Sequence, residues 1–148
     1  MGNSHVSEVT HEACLAKDIY KIQMLIKQAK DTSIGNILNV RGDQNMTPLM
    51  TAATVLGNAD LVVYLLSKGA DVNLIDNKGW TCLHHAAASA DLDVVKILLD
   101  NGARPFDRNV LGLRPIDYFL DSISTALIGF TIAIAYFSNL SKEFKKKK

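Results

Sequence analysis

Few side chains in this sequence have the types and spacing that catalysis requires. A nucleophile with a general base needs a serine or cysteine, a histidine and an acid held in one pocket. The available groups are Cys14, Cys82, the adjacent His84 and His85, and Asp91. All of them have places in the repeated helical pattern described below, and the sequence contains no glycine-rich phosphate loop and no HExxH motif. We therefore predict a protein that is not an enzyme and has no catalytic, metal or cofactor site.

The two cysteines indicate a reducing compartment. Cys14 and Cys82 belong to no CxxC or histidine-rich motif, so we expect both to be reduced, buried side chains. The first residues, MGNSHVSEVTHEA, contain no apolar stretch and do not form a secretory signal peptide. Myristoylation of Gly2 is disfavoured, because the pattern requires serine or threonine where Val6 stands. We expect a protein that is not secreted and lies in the cytoplasm or on the cytosolic face of a membrane.

Length and composition fit one ordinary globular domain. The chain has 148 residues, 48% of them hydrophobic and 21% charged, with a net charge of +1. This balance creates no overall field that would attract nucleic acid or membranes. Five of the sixteen lysines and arginines fall in the last seven residues, but apart from Phe144 this run lacks the interleaved aromatic side chains that stack on bases. We expect no nucleic-acid partner and no small-molecule substrate.

The strongest regularity is a stretch that recurs after 33 residues. Gly69-Ala70 is followed at this distance by Gly102-Ala103, and the residues before each pair are also similar. Such a period is typical of stacked repeats, in which one unit cannot bury its apolar face alone. In the clearest copy, a turn at 76–79 precedes a short helix capped by Thr81, and a second helix ends at Asn101-Gly102. Each unit is therefore predicted to be a helix pair followed by a turn.

The repeated stretches resemble the ankyrin repeat. The family's TPLHxAA stretch appears as TPLMTAA from Thr47 and as TCLHHAA from Thr81. Its VVxxLLxxGADVN stretch appears as LVVYLLSKGADVN from Leu61 and as VVKILLDNGARP from Val94. The resemblance implies an all-α repeat solenoid of about four stacked helix pairs joined by short hairpin loops. It also implies that His84 links neighbouring loops.

Three departures from the family pattern are visible. One extra residue lies near Val55-Leu56, Cys82 replaces the family's proline, and Ala90 replaces its glycine between the two helices. We expect the fold to tolerate each change, with some loss of rigidity.

The predicted organisation is a flexible N-terminus at 1–10, a repeat domain at 11–121 with units at about 11–44, 45–77, 78–110 and 111 onward, an apolar helix at 122–141 and a basic tail at 142–148.

The segment 122–141 departs from the repeat, because it carries no formal charge while a terminal repeat needs a polar exterior. An all-round apolar helix is buried in protein or in lipid. The segment is long enough to span a bilayer, to lie on its surface beside the lysine tail, or to form the second helix of the last repeat. We favour membrane association, with burial in protein as the alternative. The residues predicted to contact a membrane or an assembly are Leu127, Ile128, Phe130, Ile132, Ile134 and Phe137.

The resemblance implies that hairpin tips and first helices line a concave face that binds another protein. Met46, Trp80 and Leu113 recur in step and predict an apolar row, in which Trp80 is either the main anchor for a partner or a residue that packs on neighbouring hairpins. The candidate partner-binding residues are Asp43, Gln44, Met46, Asn77, Lys78, Trp80, His85, Val110, Leu111 and Leu113.

The sequence thus predicts a protein–protein interaction adaptor or scaffold that binds through its concave face and is tethered to a membrane by its C-terminal helix. The alternative is a structural subunit of a larger assembly, a membrane assembly included, in which that helix is buried in protein.

Overall fold

The structure is a computed structural model that describes residues 3–29 and 33–122, together with the separate positions 135, 138, 139 and 142. These residues form α-helices and no strand, which confirms the predicted all-α repeat fold. The helices are α1 (Asn3–Leu15), α2 (Ile19–Gln28), α3 (Ile34–Leu38), α4 (Pro48–Thr54), α5 (Ala59–Ser67), α6 (Cys82–Ala88), α7 (Leu92–Asp100) and α8 (Pro115–Ser122), with a 3₁₀ turn at Asp43–Asn45.

The helices stack in two layers. In the first layer α1, α4, α6 and α8 pack side by side in this order, and in the second layer α2, α5 and α7 do the same. The pairs α1–α2, α4–α5 and α6–α7 also pack against each other, so each is one repeat unit. The short helix α3 lies in the longer link after the first unit and packs on α1 and α2.

Reciprocal hydrogen bonds fix where the first helices begin. The hydroxyls of Thr47 and Thr81 accept the N–H groups of Met50 and His84, at 3.3 Å and 3.4 Å. In return, the sulfur of Met50 and Nδ1 of His84 accept the backbone N–H groups of the two threonines. Two of the N–H groups that every helix start leaves unpaired are satisfied in this way. The cap predicted at Thr81 is therefore present, and its equivalent at Thr47 is built alike.

Small side chains allow the layers to approach closely. In α4 and α6 the paired alanines Ala52-Ala53 and Ala86-Ala87 are fully buried, so these helices are thin on the sides that face their neighbours. Larger residues of both layers form one continuous core with these alanines. The fully buried large side chains include Ile22, Leu49, Met50, Leu61, Leu65, Leu83, Leu98 and Phe119.

The loop between the helices of a pair contains the extra residue. Residues 55–58 separate α4 from α5, whereas 89–91 separate α6 from α7. The longer loop is anchored on both sides, because Lys17 Nζ donates to the carbonyl of Leu56 at 2.6 Å and Gly57 N–H donates to Asp91 at 2.7 Å. Ala90, in the shorter loop, has a φ of 55°, the left-handed conformation that suits the glycine it replaces.

The N-terminus differs from the sequence prediction. Residues 3–10 belong to α1 rather than to a flexible segment, so the first unit begins before residue 11. Ser7 and Thr10 are buried on this part of α1, which packs against α4. Their hydroxyls donate to the carbonyls of Arg41 and Val6, at 2.9 Å and 2.6 Å. These bonds allow hydroxyl side chains to occupy a buried helix face that has no apolar pattern.

The C-terminal predictions fall largely on other residues. All six side chains predicted to contact a membrane or an assembly lie outside the described residues, as does most of 122–141 and of the basic tail. None of the helices in the described ranges has the length and hydropathy needed to cross a bilayer.

Candidate functional site

Three hairpin tips lie side by side along the stack. We call residues 43–46 the first tip, 77–80 the second tip and 110–113 the third tip. Asn77 N–H donates to the carbonyl of Gln44 at 3.0 Å, and Val110 N–H donates to the carbonyl of Lys78 at 3.1 Å. Backbone hydrogen bonds therefore join each tip to the next and bring the predicted binding residues of three units together.

A buried turn residue shapes the second tip. Asp76 is only 5% exposed, and its Oδ1 accepts the N–H groups of Lys78 and Trp80 at 2.8 Å and 2.9 Å. Its own N–H donates to the carbonyl of Trp80. Since these bonds close the hairpin around one carboxylate, they fix the backbone of the tip.

Asn109 has the same role in the third tip. Its Oδ1 accepts the N–H groups of Leu111 and Leu113, each at 3.0 Å, and its N–H donates to the carbonyl of Leu113. The first tip is built differently, because Gly42 stands at the equivalent position. There the chain forms a 3₁₀ turn in which Gln44 and Asn45 have positive φ angles.

Side chains of the first-layer helices hold the turn residues from below. Nε2 of His85 lies 3.0 Å from Oδ2 of Asp76, and since the carboxylate oxygen accepts, Nε2 is the donor. Burial lowers the pKa of His85, and the bond to Asp76 opposes that shift. We call the three tips together with His85 and Tyr118 of α8 the hairpin face.

His84 links two units, as the resemblance implies. Its Nδ1 lies 3.1 Å from the N–H of Thr81, and its Nε2 lies 3.1 Å from the carbonyl of Leu113. Only the neutral tautomer with the proton on Nε2 satisfies both partners. Burial lowers the pKa of His84, which favours this neutral form. His84 is therefore occupied in holding the third tip on α6.

The apolar residues of the hairpin face are not equally exposed. Trp80 is half-buried, and its ring centroid lies 4.4 Å from that of Tyr118 and 5.0 Å from that of His85. Met46 is also half-buried, against the core. Exposed apolar surface is concentrated on the third tip instead, where Val110 is 72% and Leu111 73% exposed.

Tyr118 is not among the residues predicted from the sequence. It follows His85 by one repeat period of 33 residues, so the spacing alone could have identified it. In the structure it makes the equivalent contact, because its hydroxyl accepts a 2.7 Å hydrogen bond from Nδ2 of Asn109.

A cleft of about 790 Å³ lies at the N-terminal end of the hairpin face, between α1 and the first tip. Asp43 and Met46 are among the binding residues predicted from the sequence, whereas no residue on the α1 side of the cleft is. The signal there is a repeat correspondence, because THEAC from Thr10 matches LHHAA from Leu83. The cleft is lined by Ser4, Ser7, Glu8, His11, Glu12, Leu15, Arg41, Gly42, Asp43, Met46, Thr51 and Thr54.

His11 occupies the floor of this cleft. Its ring nitrogens are both buried, and neither has a hydrogen-bond partner among the described residues. Burial lowers the pKa of His11, although the nearby charge of Asp43 opposes the shift. The imidazole is therefore neutral near pH 7 and adds no positive charge to the cleft.

The groups that could do chemistry are occupied or protonated. Cys14 and Cys82 are free and buried, and burial raises the pKa of each thiol to about 12, so neither is a thiolate near pH 7. In the ranges that the structure describes, no group of three or more His, Cys, Asp and Glu side chains could hold a metal ion.

Comparison with known proteins finds similarity over most of the stack. The family model for ankyrin repeats, in three copies, matches residues 10–109. The chain is 38% identical over 78 residues to the nuclear factor NF-kappa-B p105 subunit of Gallus gallus, a match over 53% of this chain and 8% of the relative. It is 36% identical over 98 residues to the human transient receptor potential cation channel subfamily A member 1, over 66% and 8% of the two chains. It is 41% identical over 80 residues to the rat ankyrin repeat and SAM domain-containing protein 6, a match over 53% of this chain and 9% of the relative. The chain thus spans less than a tenth of the length of these relatives.

Proposed function

Because the chain belongs to the ankyrin-repeat family, whose repeats generally mediate protein–protein interaction, we propose that it is an adaptor or scaffold that binds another protein through its hairpin face. We infer that the hairpin face is the concave face expected from the sequence. Repeats of this family are typically interaction modules rather than enzymes.

The observation that carries this proposal is the exposed apolar surface of the third tip. Val110 and Leu111 are more than two-thirds exposed, yet their backbone is fixed by Asn109 and by the bond to Lys78. Burying such side chains on a partner is favourable, and a tip that is already ordered loses little conformational freedom on binding. An exposed apolar group on a rigid support is therefore suited to docking.

Capture experiments test this proposal. We expect immobilised protein to retain a partner from a cell extract, and the double variant Val110→Ser/Leu111→Ser to bind that partner at least about tenfold more weakly. The matched control is Tyr20→Ser/Val63→Ser, which removes two exposed apolar side chains from the second layer. Equal loss in the control, or no loss in the tip variant, would refute binding through the hairpin face.

Attachment through 122–141 is a second part of the proposal, supported by the absence of formal charge from this segment. We infer a membrane tether on the cytosolic side, with burial in a larger assembly as the alternative. Carbonate extraction of cell membranes separates the two, because an integral anchor stays in the pellet whereas a protein-buried helix is released.

A further inference from the structure

The cleft at the N-terminal end of the hairpin face is acidic. Its described lining includes the carboxylates of Glu8, Glu12 and Asp43 and the guanidinium of Arg41. Oε2 of Glu12 lies 3.2 Å from Nζ of Lys21 on α2 and forms an ion pair with it. Glu8 and Asp43 have no ion-pair partner among the described residues. Two exposed carboxylates are therefore available to a cationic group.

The basic group of the cleft is already engaged. Nη1 of Arg41 donates to the carbonyls of Asn45 and Ile75, at 2.8 Å and 3.0 Å, and so ties the first tip to the following hairpin. His11 on the floor is neutral near pH 7 because burial lowers its pKa. Arg41 keeps its positive charge, because the carbonyls that it contacts are neutral, but the three carboxylates of the lining outnumber it, so the cleft stays acidic at neutral pH.

The remaining lining suits a long side chain with an apolar stem. Leu15 and Met46 contribute apolar surface, and the volume of about 790 Å³ exceeds that of one side chain. Lysine and arginine place their methylene stems along apolar surface while the charged end meets carboxylates. An acidic side chain would be repelled by the same residues.

The other end of the hairpin face is apolar. Two repeat steps separate the first tip from the third. Since neighbouring helices pack about 8–10 Å apart, the distance between these two tips is about 16–20 Å. An extended chain covers about 3.3 Å per residue, so about five or six residues bridge the two ends.

We propose that the partner docks as an extended segment whose lysine or arginine enters the cleft beside Glu8 and Asp43, while an apolar residue about five or six positions away packs on Val110 and Leu111. This proposal rests on binding through the hairpin face and adds the chemical class of the partner to it.

Fluorescence anisotropy with the full-length chain tests the proposal. The probes are labelled peptides with two arginines and two leucines separated by about five glycine and serine residues, in both chain directions. The same peptides with glutamates in place of the arginines are the controls. We expect an arginine peptide to bind, its affinity to fall with salt, and the glutamate peptides to bind more weakly.

Charge variants locate the binding site. We expect Glu8→Gln/Asp43→Asn to weaken the arginine peptide about three- to tenfold. The matched control, Asp60→Asn/Asp93→Asn, removes two exposed carboxylates from the first turns of α5 and α7 and should leave the affinity unchanged. The proposal is wrong if the glutamate peptides bind equally well, if the cleft variant binds like the wild type, or if no peptide binds.

Two further results separate the related hypotheses. If a captured partner depends on Val110 and Leu111 but no arginine peptide binds, the charge assignment fails and the hairpin face stands; if it does not depend on them, the proposed function fails. Replacing the lysines at 145–148 with glutamine tests the chain's own tail as occupant. Tighter peptide binding by that variant would show that the tail fills the cleft, and assignment of the cleft to a partner would be wrong.

Discussion

Nε2 of His85 donates a 3.0 Å hydrogen bond to Asp76, nine residues before it in the chain. One repeat later, Nδ2 of Asn109 donates a 2.7 Å bond to the hydroxyl of Tyr118, again over nine residues. In both pairs, a side chain of a first-layer helix holds the buried residue around which the preceding tip is folded. The shape of each tip is therefore coupled to the helix beneath it through one side-chain contact.

Removing the hydroxyl of Tyr118 tests this coupling. We expect Tyr118→Phe to lower the free energy of unfolding by about 1 kcal/mol, because Asn109 Nδ2 loses its partner in a buried position. Tyr20→Phe removes a hydroxyl from an exposed ring and should change stability by less than about 0.5 kcal/mol. Urea unfolding measures both; equal effects would show that the Asn109 contact contributes nothing specific.

Acid should destabilise the stack through its buried histidines. Burial lowers the pKa values of His11, His84 and His85 in the folded chain. As pH falls below about 6.5, the unfolded chain takes up protons first, so stability is full above this pH and declines below it. We expect the urea concentration at the midpoint of unfolding to be lower at pH 5.5 than at pH 7.5.

A variant assigns part of this pH dependence. His85→Gln keeps a donor for Asp76 but does not titrate, so its urea midpoint should depend less on pH than that of the wild type. His5→Gln, which replaces an exposed histidine at the start of α1, is the matched control. If the urea midpoint of His85→Gln depends on pH as strongly as that of the wild type, His85 does not contribute to the pH dependence of stability.

Restoring glycine at position 90, where Ala90 replaces the glycine of the family pattern, should stabilise the chain. A left-handed conformation costs a residue with a Cβ about 1–2 kcal/mol, and Ala90 has a φ of 55°. Since glycine loses more backbone entropy on folding, we expect Ala90→Gly to stabilise the chain by about 0.5–1 kcal/mol. Gly102→Ala is the opposite control: its φ is +87° and no atom lies within 4 Å of an added Cβ, so only backbone strain acts. Thermal unfolding should shift upward in the first variant and downward in the second.

Gly42, just before the first tip, lies against His11 of α1, so a substitution at His11 should compensate for one at Gly42. A Cβ added to Gly42 would overlap the ring of His11, whose Cε1 would lie 2.9 Å away. We expect Gly42→Ala to destabilise the chain by about 1–3 kcal/mol, and His11→Ala to recover most of that loss in the double variant. Additive losses in this double-mutant cycle, measured by urea unfolding, would contradict the overlap.

Regular features of the fold could be predicted from the sequence, whereas features that depend on distant residues could not. The 33-residue period and the cap at Thr81 are local patterns, and the structure contains both. The start of α1 was missed because Ser7 and Thr10 are buried without apolar periodicity. The cleft was missed in part because Glu8 and Asp43 are far apart in the chain and line one cleft only in the folded structure, where α1 lies beside the first tip.

Trp80 is either an anchor for a partner or a residue that only packs on neighbouring hairpins. Fluorescence can separate these two interpretations, because Trp80 is the one tryptophan of the chain. Its ring packs on Tyr118 and His85, so we expect Trp80→Ala to destabilise the stack by about 2 kcal/mol even without a partner. The ring is nevertheless only half-buried, which leaves part of it accessible to a quencher. If Trp80 is also a binding anchor, a bound partner will reduce acrylamide quenching of its fluorescence, and a partner that lacks tryptophan gives the cleanest reading. Quenching that is unchanged by a partner which still depends on Val110 and Leu111 would limit Trp80 to packing between units.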